Sequence, residues 1–467
     1  MQRLIQPLTP FHTPDPTRLA WLGELLRRHR TTIIALQWIV VLAYIGLVTV
    51  PALLPLPPAD GRMLHNLTLF AQFVFWGIWW PFVILSMMLM GRVWCGVLCP
   101  EGALSEFASK FGLGKPIPRW MKWGGWPFVA FILTTVYGQL VSVYEYAVAA
   151  LLVLGGSTLA AIGIGLVYGK NKRVWCRHLC PVNGVFGLLS RLAPVHFRVD
   201  QETWKASTTP PQAIHCAPMV HIKSMKGASD CHMCGQCAGH KGAIALTLRN
   251  PGSEVVDMHT NEAKPWEAAL LVFGMIGTAI GAFQWSGSPW FVAAKQAAAE
   301  WLVAKEWWWA LDTNAPWWLL THYPEASDTF TWLDGAMILT YIAATAIIVG
   351  SWVWAWLKVA AVILGGKPHV TPSRLAYSLI PMGGFGVFLG LSALTVTMLK
   401  AEGLMFPWLG TARALVLAFA AAWSLHLAYG VISRQNRTLA ARYCSLAAVA
   451  MAIGGIIVPW VLLFYIW

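Results

Sequence analysis

Three closely spaced cysteines lie near the middle of the chain, in the run Cys231-His-Met-Cys234-Gly-Gln-Cys237, and Cys216 precedes them. A C-x-x-C-x-x-C run can wrap three thiolates and the intervening backbone amides around a [4Fe-4S] cubane, whose fourth ligand comes from elsewhere in the chain. Cys216 is the obvious fourth ligand. We therefore predict a [4Fe-4S] site held by Cys216, Cys231, Cys234 and Cys237, with zinc or structural thiols as the alternatives.

A second group of cysteines lies in an internal repeat, which we call the CxxxCP motif. The run Arg92-Val-Trp-Cys95-Gly-Val-Leu-Cys99-Pro100 recurs as Arg173-Val-Trp-Cys176-Arg-His-Leu-Cys180-Pro181. Because proline is tolerated at the first helical position, we expect Cys99 and Cys180 to be N-caps of short helices, where a thiolate is favoured. Two such turns together would offer four soft ligands. We expect a second metal or redox centre, either iron-sulfur, copper(I) or zinc, at Cys95, Cys99, Cys176 and Cys180.

The nine cysteines of the chain divide into these two groups of four and Cys444. Two matched sets of four thiols are typical of metal binding in a reducing compartment, and they argue against disulfides. Cys444 lies alone within the last apolar segment, and we interpret it as a small core residue.

Histidines and methionines surround the central cysteine run. They could bind copper, but packing around a cluster or hydrogen bonding to it is the simpler interpretation. These residues are His215, Met219, His221, Met225, His232, Met233 and His240.

The elements that must position these cysteines are predicted to be membrane helices. Of the 467 residues, 57% are hydrophobic and only 11% are charged, whereas roughly 25% are charged in an ordinary soluble domain. Nine apolar runs are long enough to cross about 30 Å of hydrocarbon. They lie near 31–51, 68–90, 124–143, 147–169, 267–285, 335–357, 376–398, 410–431 and 444–466. The sequence therefore predicts an α-helical polytopic membrane protein of about nine transmembrane helices.

The distribution of basic residues predicts the orientation of these helices. The first 30 residues end in Arg27-Arg28-His29-Arg30 and no cleavage site follows, so we expect an uncleaved first span and a cytoplasmic N-terminus. With that start, 28 of the 33 Lys and Arg residues lie on the cytoplasmic side. The net charge of +13 is thus explained by topology, and no nucleic-acid partner is expected. We expect the segment 290–311 to lie on the outer surface as a helix.

We divide the chain into four parts on this basis. Duplication of a span and its cysteine turn often places a site at the interface between the repeats, and residues 243–246 are predicted to form a short strand closing over the cubane. The parts are a cytoplasmic N-terminal segment (1–30), a four-helix membrane domain with both CxxxCP motifs (31–195), a cytoplasmic ferredoxin-like [4Fe-4S] lobe (196–264), and a C-terminal membrane domain of about five helices with an outer loop near 286–334 (265–467).

The motifs resemble the membrane polyferredoxin family that includes NosR, NapH and CcoG. The resemblance covers about residues 65–250 and depends on VWCGVLCP, VWCRHLCP and the later cysteine run, in that order. It implies a protein of the bacterial inner membrane that serves a respiratory reductase or oxidase and takes electrons from quinol or a cytoplasmic protein. Family members commonly have two cubane loops ending in Cys-Pro. Here the run stops at Cys237 and residue 241 is a lysine, so the sequence supports one such loop.

We therefore expect a membrane-bound iron-sulfur protein that relays electrons between a cytoplasmic or quinone donor and a membrane or periplasmic respiratory partner. It would be a component of an oxidoreductase system rather than a self-standing enzyme. The alternative is an accessory protein that binds or reduces copper for a respiratory oxidase or reductase. A redox-regulated transporter is the third interpretation.

Overall fold

Each of the nine apolar runs forms a helix in the computed structural model of the chain. The structure describes residues 16–58, 60–208, 214–225, 227–366 and 370–467, so the first half of the predicted N-terminal segment, residues 1–15, lies outside it. Within these ranges, eight helices are long and apolar enough to cross a membrane. The protein is therefore a mostly helical, multi-pass membrane protein.

The third of the nine predicted spans differs from the others in length. The run at 124–143 becomes a helix only at Trp126–Leu140, which has 15 residues. At 1.5 Å per residue this helix is roughly 22 Å long, whereas about 30 Å are needed to cross the hydrocarbon. Gly124 and Gly125 precede it, and a turn follows Leu140. The sequence predicts nine long spans, whereas the described residues form eight long helices and one short helix.

The N-terminal half contains two copies of one unit, as the repeat predicts. In each copy a long helix is followed by a turn with the CxxxCP motif and then by a short helix; in the first copy the turn includes a π-helical segment at Trp94–Leu98. The elements of this half are α1 (Pro16–Arg28), α2 (Arg30–Leu53), α3 (Leu67–Met90), α4 (Pro100–Lys110), α5 (Trp126–Leu140), α6 (Ala147–Tyr168), α7 (Val174–His178), α8 (Asn183–Leu189), β1 (Val195–Val199), α9 (Gln201–Ala206), β2 (Ile244–Leu248) and α10 (Ser253–Asp257).

The lobe between the two membrane halves is built on one strand pair. β1 and β2 pair antiparallel, with Val195 opposite Leu248 and Val199 opposite Ile244. The strand predicted at 243–246 is thus present as β2, although it is one residue later at its start. The helix α1 packs on this pair, where Gly23 lies against Leu246. The part of the 1–30 segment that the structure describes therefore belongs to the lobe.

The C-terminal half supplies the remaining long helices. Its elements are α11 (Pro265–Gly287), α12 (Pro289–Ala304), β3 (His322–Tyr323), β4 (Asp328–Thr329), α13 (Trp332–Ile363), α14 (Pro372–Ala401), α15 (Leu409–Ser433) and α16 (Leu439–Ile466). The segment predicted to lie on the outer surface becomes α12, a 16-residue helix that is not among the eight candidate spans. Cys444 lies on an exposed face of α16, so its interpretation as a core residue was wrong.

The two membrane halves share one hydrophobic core. This core joins Met87 of α3 and Leu189 of α8 to Leu271 of α11 and Ile380 of α14. The helix α11 is central, because 72% of its most apolar stretch is buried, compared with 17% for α6. Close van der Waals packing of these apolar side chains stabilises the arrangement of the helices that precede the cysteine turns. The C-terminal half therefore acts at least as a scaffold for the cysteine-bearing half.

Candidate metal centres at one end of the membrane helices

The four cysteines of the lobe line a common cavity. Cys216, Cys231, Cys234 and Cys237 all contribute to its wall, and all are free thiols. Met233 and Gly235 have positive φ angles of 54° and 74°, so the chain turns sharply between successive cysteines. These left-handed positions let a short run of residues curve around a central object. The structure thus brings together the four residues that the sequence predicted as one site, which we call the lobe site.

The four cysteines of the repeat line a second cavity. Cys95, Cys99, Cys176 and Cys180 lie at the ends of α3 and α6, where the two CxxxCP turns meet. We call this group the edge site. Among the described residues, no three His, Cys, Asp or Glu side chains converge as they would around a single metal ion. In both sites the four thiols line the wall of a cavity.

The predicted N-cap role holds for one cysteine of the edge site. Cys99 is the N-cap of α4, and its Sγ accepts a hydrogen bond from the backbone N–H of Gly102 at 3.4 Å. The same prediction for Cys180 was wrong. There the chain forms a turn at Pro181 and Val182, and α8 begins only at Asn183. The two repeats therefore present their second cysteine differently.

The lobe site and the edge site are in direct backbone contact. A Cβ added at Gly96 would lie 2.0 Å from the carbonyl oxygen of His232 and 2.9 Å from the backbone nitrogen of Cys234. The His232 side chain is only 2% exposed and lines both cavities. Its Nδ1 has no hydrogen-bond partner among the described residues. The two groups of cysteines are thus neighbours, a relation that sequence analysis did not predict.

The histidines near the lobe site are dispersed. His221 bonds through Nδ1 to the hydroxyl of Ser224 at 2.7 Å, and His240 packs against the ring of Trp204. Only His215 and His232 line the cavity of the lobe site. Two of the four histidines thus lie at the lobe site, and the other two have partners outside its cavity.

Burial raises the pKa of one cysteine thiol in each site to about 12. It raises the pKa of Cys176 to about 12 even though the guanidinium group of Arg173 opposes this effect. Burial likewise raises the pKa of Cys237 to about 12, and the neighbouring Cys234 adds to the shift. Since thiolates are the ligands of iron, binding of a cluster must release protons from these side chains.

A buried network of ion pairs connects Arg173 of the second CxxxCP motif to the backbone of the first motif. Arg173 is 2% exposed, pairs with Glu106 at 2.6 Å, and donates from Nη1 to the carbonyl oxygen of Cys95 at 2.5 Å. Glu106 also pairs with Arg30 at 3.0 Å. This network links the start of α2 and the short helix α4 to the CxxxCP turn of the other repeat.

We expect Glu106→Gln to destabilise the protein by about 3–5 kcal/mol, because it leaves Arg173 buried without a carboxylate. Burial alone would raise the pKa of Glu106, but Arg173 and Arg30 outweigh it and hold the pKa below its usual value of 4.5. The stabilisation is thus present above pH 4.5 and decreases as the pH falls through the lowered pKa. Denaturant unfolding in detergent measures both effects.

Glu24→Gln is the matched control, because it removes a carboxylate from an exposed ion pair with Arg28. Such surface pairs contribute about 0–1 kcal/mol. Equal losses of stability in the two variants would contradict the assignment of a buried network.

The cavity of the edge site extends far into the membrane part. Its volume is about 700 Å³, and its wall is mostly apolar. Beyond the cysteines it is lined by residues of α2, α3, α5 and α6, including Trp79, Trp80, Leu133 and Tyr137. Its polar lining includes Glu101, which accepts a hydrogen bond from Trp175 Nε1 at 3.3 Å. Sequence analysis did not predict this cavity, because its wall comes from four separate helices.

Comparison with known protein families identifies part of this arrangement. A family described as 4Fe-4S binding domain matches residues 72–118 and 153–199. Each matched segment contains one CxxxCP motif, and the two together make up about a fifth of the chain. The run from Cys231 to Cys237 lies outside both segments. The match therefore falls on the cysteines for which the sequence left iron-sulfur, copper and zinc open.

One curated protein is similar to the chain over a longer stretch. It is the "Putative electron transport protein YccM" of Escherichia coli (strain K12), with 22% identity over 233 residues. The matched stretch covers 44% of this chain and 64% of that protein, which is less than two thirds of its length. No solved structure matches the chain significantly. Together the comparisons support an iron-sulfur protein of electron transport.

Proposed function

We propose that the protein is a membrane electron-transfer component with two iron-sulfur clusters. One [4Fe-4S] cluster would be held by the lobe site and a second by the edge site. The observation that carries the proposal is the backbone contact at Gly96, which makes two sets of four free cysteines neighbours. The 4Fe-4S family match to both CxxxCP motifs supports iron-sulfur over copper or zinc at the edge site.

Clusters of this type supply one-electron transfer at potentials tuned by their surroundings. The protein residues set the geometry of the pair. Gly96 permits the close approach of the two cysteine loops, and the buried His232 lines both cavities. Electrons would therefore pass between the edge site at the membrane helices and the lobe site.

The apolar cavity supports a quinol as the electron donor. Its volume falls within the roughly 300–1,000 Å³ of ordinary small-molecule sites. Leu133 of α5 lines it and is 62% exposed, and we place the entrance of the cavity beside this residue. A donor dissolved in the bilayer could enter there and reach the edge cysteines without leaving the membrane. A quinol gives two electrons and two protons as it becomes the quinone, and two one-electron centres suit this stoichiometry.

The sidedness of the protein is part of the proposal. Eight of the nine cysteines lie at the end of the helices that holds most of the basic residues, so that end would face the cytoplasm of a bacterial inner membrane. A reducing cytoplasm keeps such thiols available for metal. The final acceptor would be a membrane or periplasmic respiratory reductase or oxidase.

Anaerobic purification tests the cluster content directly. We expect about eight iron and eight acid-labile sulfide atoms per chain, as two [4Fe-4S] clusters require, and an EPR signal from each cluster after reduction. Absence of iron and sulfide would overturn the proposal, and copper bound at the edge cysteines in place of iron would favour the accessory role in oxidase assembly.

The quinol is tested by filling the cavity. Gly156 lines it, and a Cβ there would meet nothing within 4 Å, so Gly156→Phe should place a ring in the cavity without a clash at its base. We expect reduction of the clusters by a soluble quinol analogue to slow at least about tenfold, the equivalent of about 1.4 kcal/mol. Reduction by dithionite and the iron content should not change.

Gly163→Phe is the matched control on the same helix. A Cβ at Gly163 also meets nothing within 4 Å, but this residue does not line the cavity. Equal rates of quinol reduction in the two variants would exclude the cavity as the donor site and would favour a soluble donor.

A further inference from the structure

Arg92 is a buried cation without a carboxylate partner among the described residues. Its side chain is only 3% exposed. Nη1 donates to the carbonyl oxygen of Ser229 at 2.7 Å, and Nη2 donates to Oδ1 of Asn183 at 2.7 Å. The Sγ of Cys95 lies 3.8 Å from Nη2, and Nε has no partner. The positive charge is therefore held by neutral groups and one cysteine.

The charge of Arg173, the equivalent residue of the second repeat, is balanced in a different way. Arg173 is equally buried, but its charge is balanced by Glu106. Taking a charge out of water costs several kcal/mol unless an opposite charge lies nearby. An anion at the position of Cys95 would therefore stabilise the buried charge of Arg92. Four thiolates around an iron-sulfur core carry net negative charge and would supply this anion.

We propose that Arg92 is the internal counter-cation of the edge-site cluster and raises its reduction potential. The proposal depends on the proposed function, since it assumes a cluster at the edge site. Reduction adds one negative charge to the cluster, and a fixed cation nearby stabilises that charge most strongly where water is excluded. Arg92 is a positioning residue, because it acts on the cluster through charge and is not one of its ligands.

The contacts of Arg92 fix the cation at the junction of three parts of the protein. It is itself part of the first CxxxCP motif, Asn183 begins the short helix of the second repeat, and Ser229 belongs to the lobe. Three directed contacts in a buried place leave the guanidinium group little freedom. Its charge is consequently held at one place relative to the edge cysteines.

Arg92→Gln tests the proposal through the midpoint potential of the edge-site cluster, measured by EPR redox titration. We expect the ratio of oxidised to reduced cluster at fixed ambient potential to rise at least about tenfold, which is a negative shift of about 59 mV for one electron. Arg92→Lys keeps the charge and should stay closer to the wild-type potential. The iron content should remain at the wild-type value.

Arg177→Gln is the control for charge, since it also removes one guanidinium group near the sites. Arg177 is 31% exposed and paired with Asp230, so solvent screens it and we expect a smaller shift. Asn183→Asp is the second test should Arg92→Gln fail to fold. It introduces a carboxylate where Arg92 already donates a hydrogen bond, and it should shift the potential in the same negative direction.

The outcomes separate this proposal from the proposed function. If wild-type protein shows no edge-site cluster, the proposed function fails before Arg92 is tested. If the cluster is present, and Arg92→Gln and Asn183→Asp both leave its potential within the shift seen for Arg177→Gln, then Arg92 is not its counter-cation. A negative shift in both variants, with unchanged iron, supports the inference.

Discussion

Replacing Cys176 with serine is expected to remove about half of the iron from the protein, from about eight atoms per chain to about four. Cys176 is buried in the second CxxxCP turn and lines only the cavity of the edge site. Loss of one of four thiolates should release that cluster, whereas the lobe site keeps all its cysteines. Iron and sulfide analysis measures the loss, and EPR identifies which signal remains.

Cys444→Ser is the matched control, because Cys444 is an exposed cysteine outside both sites. It should keep all of the iron. If Cys176→Ser kept all of its iron as well, the edge site would not hold a cluster. If it lost all iron, the two sites would assemble as one unit, and the clusters would not be independently held.

The grouping of the cysteines could be predicted from the sequence because it depends on local spacing. The run from Cys231 to Cys237 and the duplicated CxxxCP motif each indicate a set of ligands, and the structure brings each predicted set together around one cavity. Their roles as ligands remain predictions. The N-cap at Cys180 could not be predicted reliably, since Pro181 is compatible with either a helix start or the turn that is observed.

The partners of the buried charges could not be predicted from the sequence. Arg92 and Arg173 occupy equivalent positions of the repeat, yet within the described part of the chain only Arg173 has a carboxylate partner. That partner, Glu106, is 67 residues away along the chain. Such pairs depend on how helices pack, which local patterns do not specify. The same holds for the packing of α1 on the strand pair of the lobe.

The role of the C-terminal half also emerged only from packing. Its apolar runs predicted helices, but a run of apolar residues does not indicate which neighbour a helix contacts. In the structure Leu271 and Ile380 share a core with Met87 and Leu189 of the cysteine-bearing half. The helices α11 and α14 therefore support α3, which precedes the first cysteine turn, and α8, which follows the second.

The two CxxxCP motifs differ at one position that the structure explains. Gly96 follows the first cysteine of the first motif, whereas Arg177 occupies the same position of the second motif. The lobe packs against the first turn, where the carbonyl oxygen of His232 would lie 2.0 Å from any Cβ at position 96. In the second turn, by contrast, the Arg177 side chain is accommodated: it is 31% exposed and extends to Asp230. A side chain is thus tolerated in only one repeat.

We expect Gly96→Ala to separate the lobe site from the edge site. The added Cβ would meet backbone atoms of His232 and Cys234, which cannot move without moving the lobe cysteines. Overpacking of this kind typically costs about 1–3 kcal/mol. Here the clash can be relieved only if the loop that carries Cys234 moves away. Magnetic interaction between the two reduced clusters should weaken in EPR, and quinol should reduce the lobe cluster more slowly.

Gly163→Ala is the control, because a Cβ at Gly163 meets nothing within 4 Å, and this variant should behave as wild type. Wild-type coupling in Gly96→Ala would contradict the predicted separation, whereas weakened coupling with a wild-type rate of quinol reduction would refute the contact as the electron path.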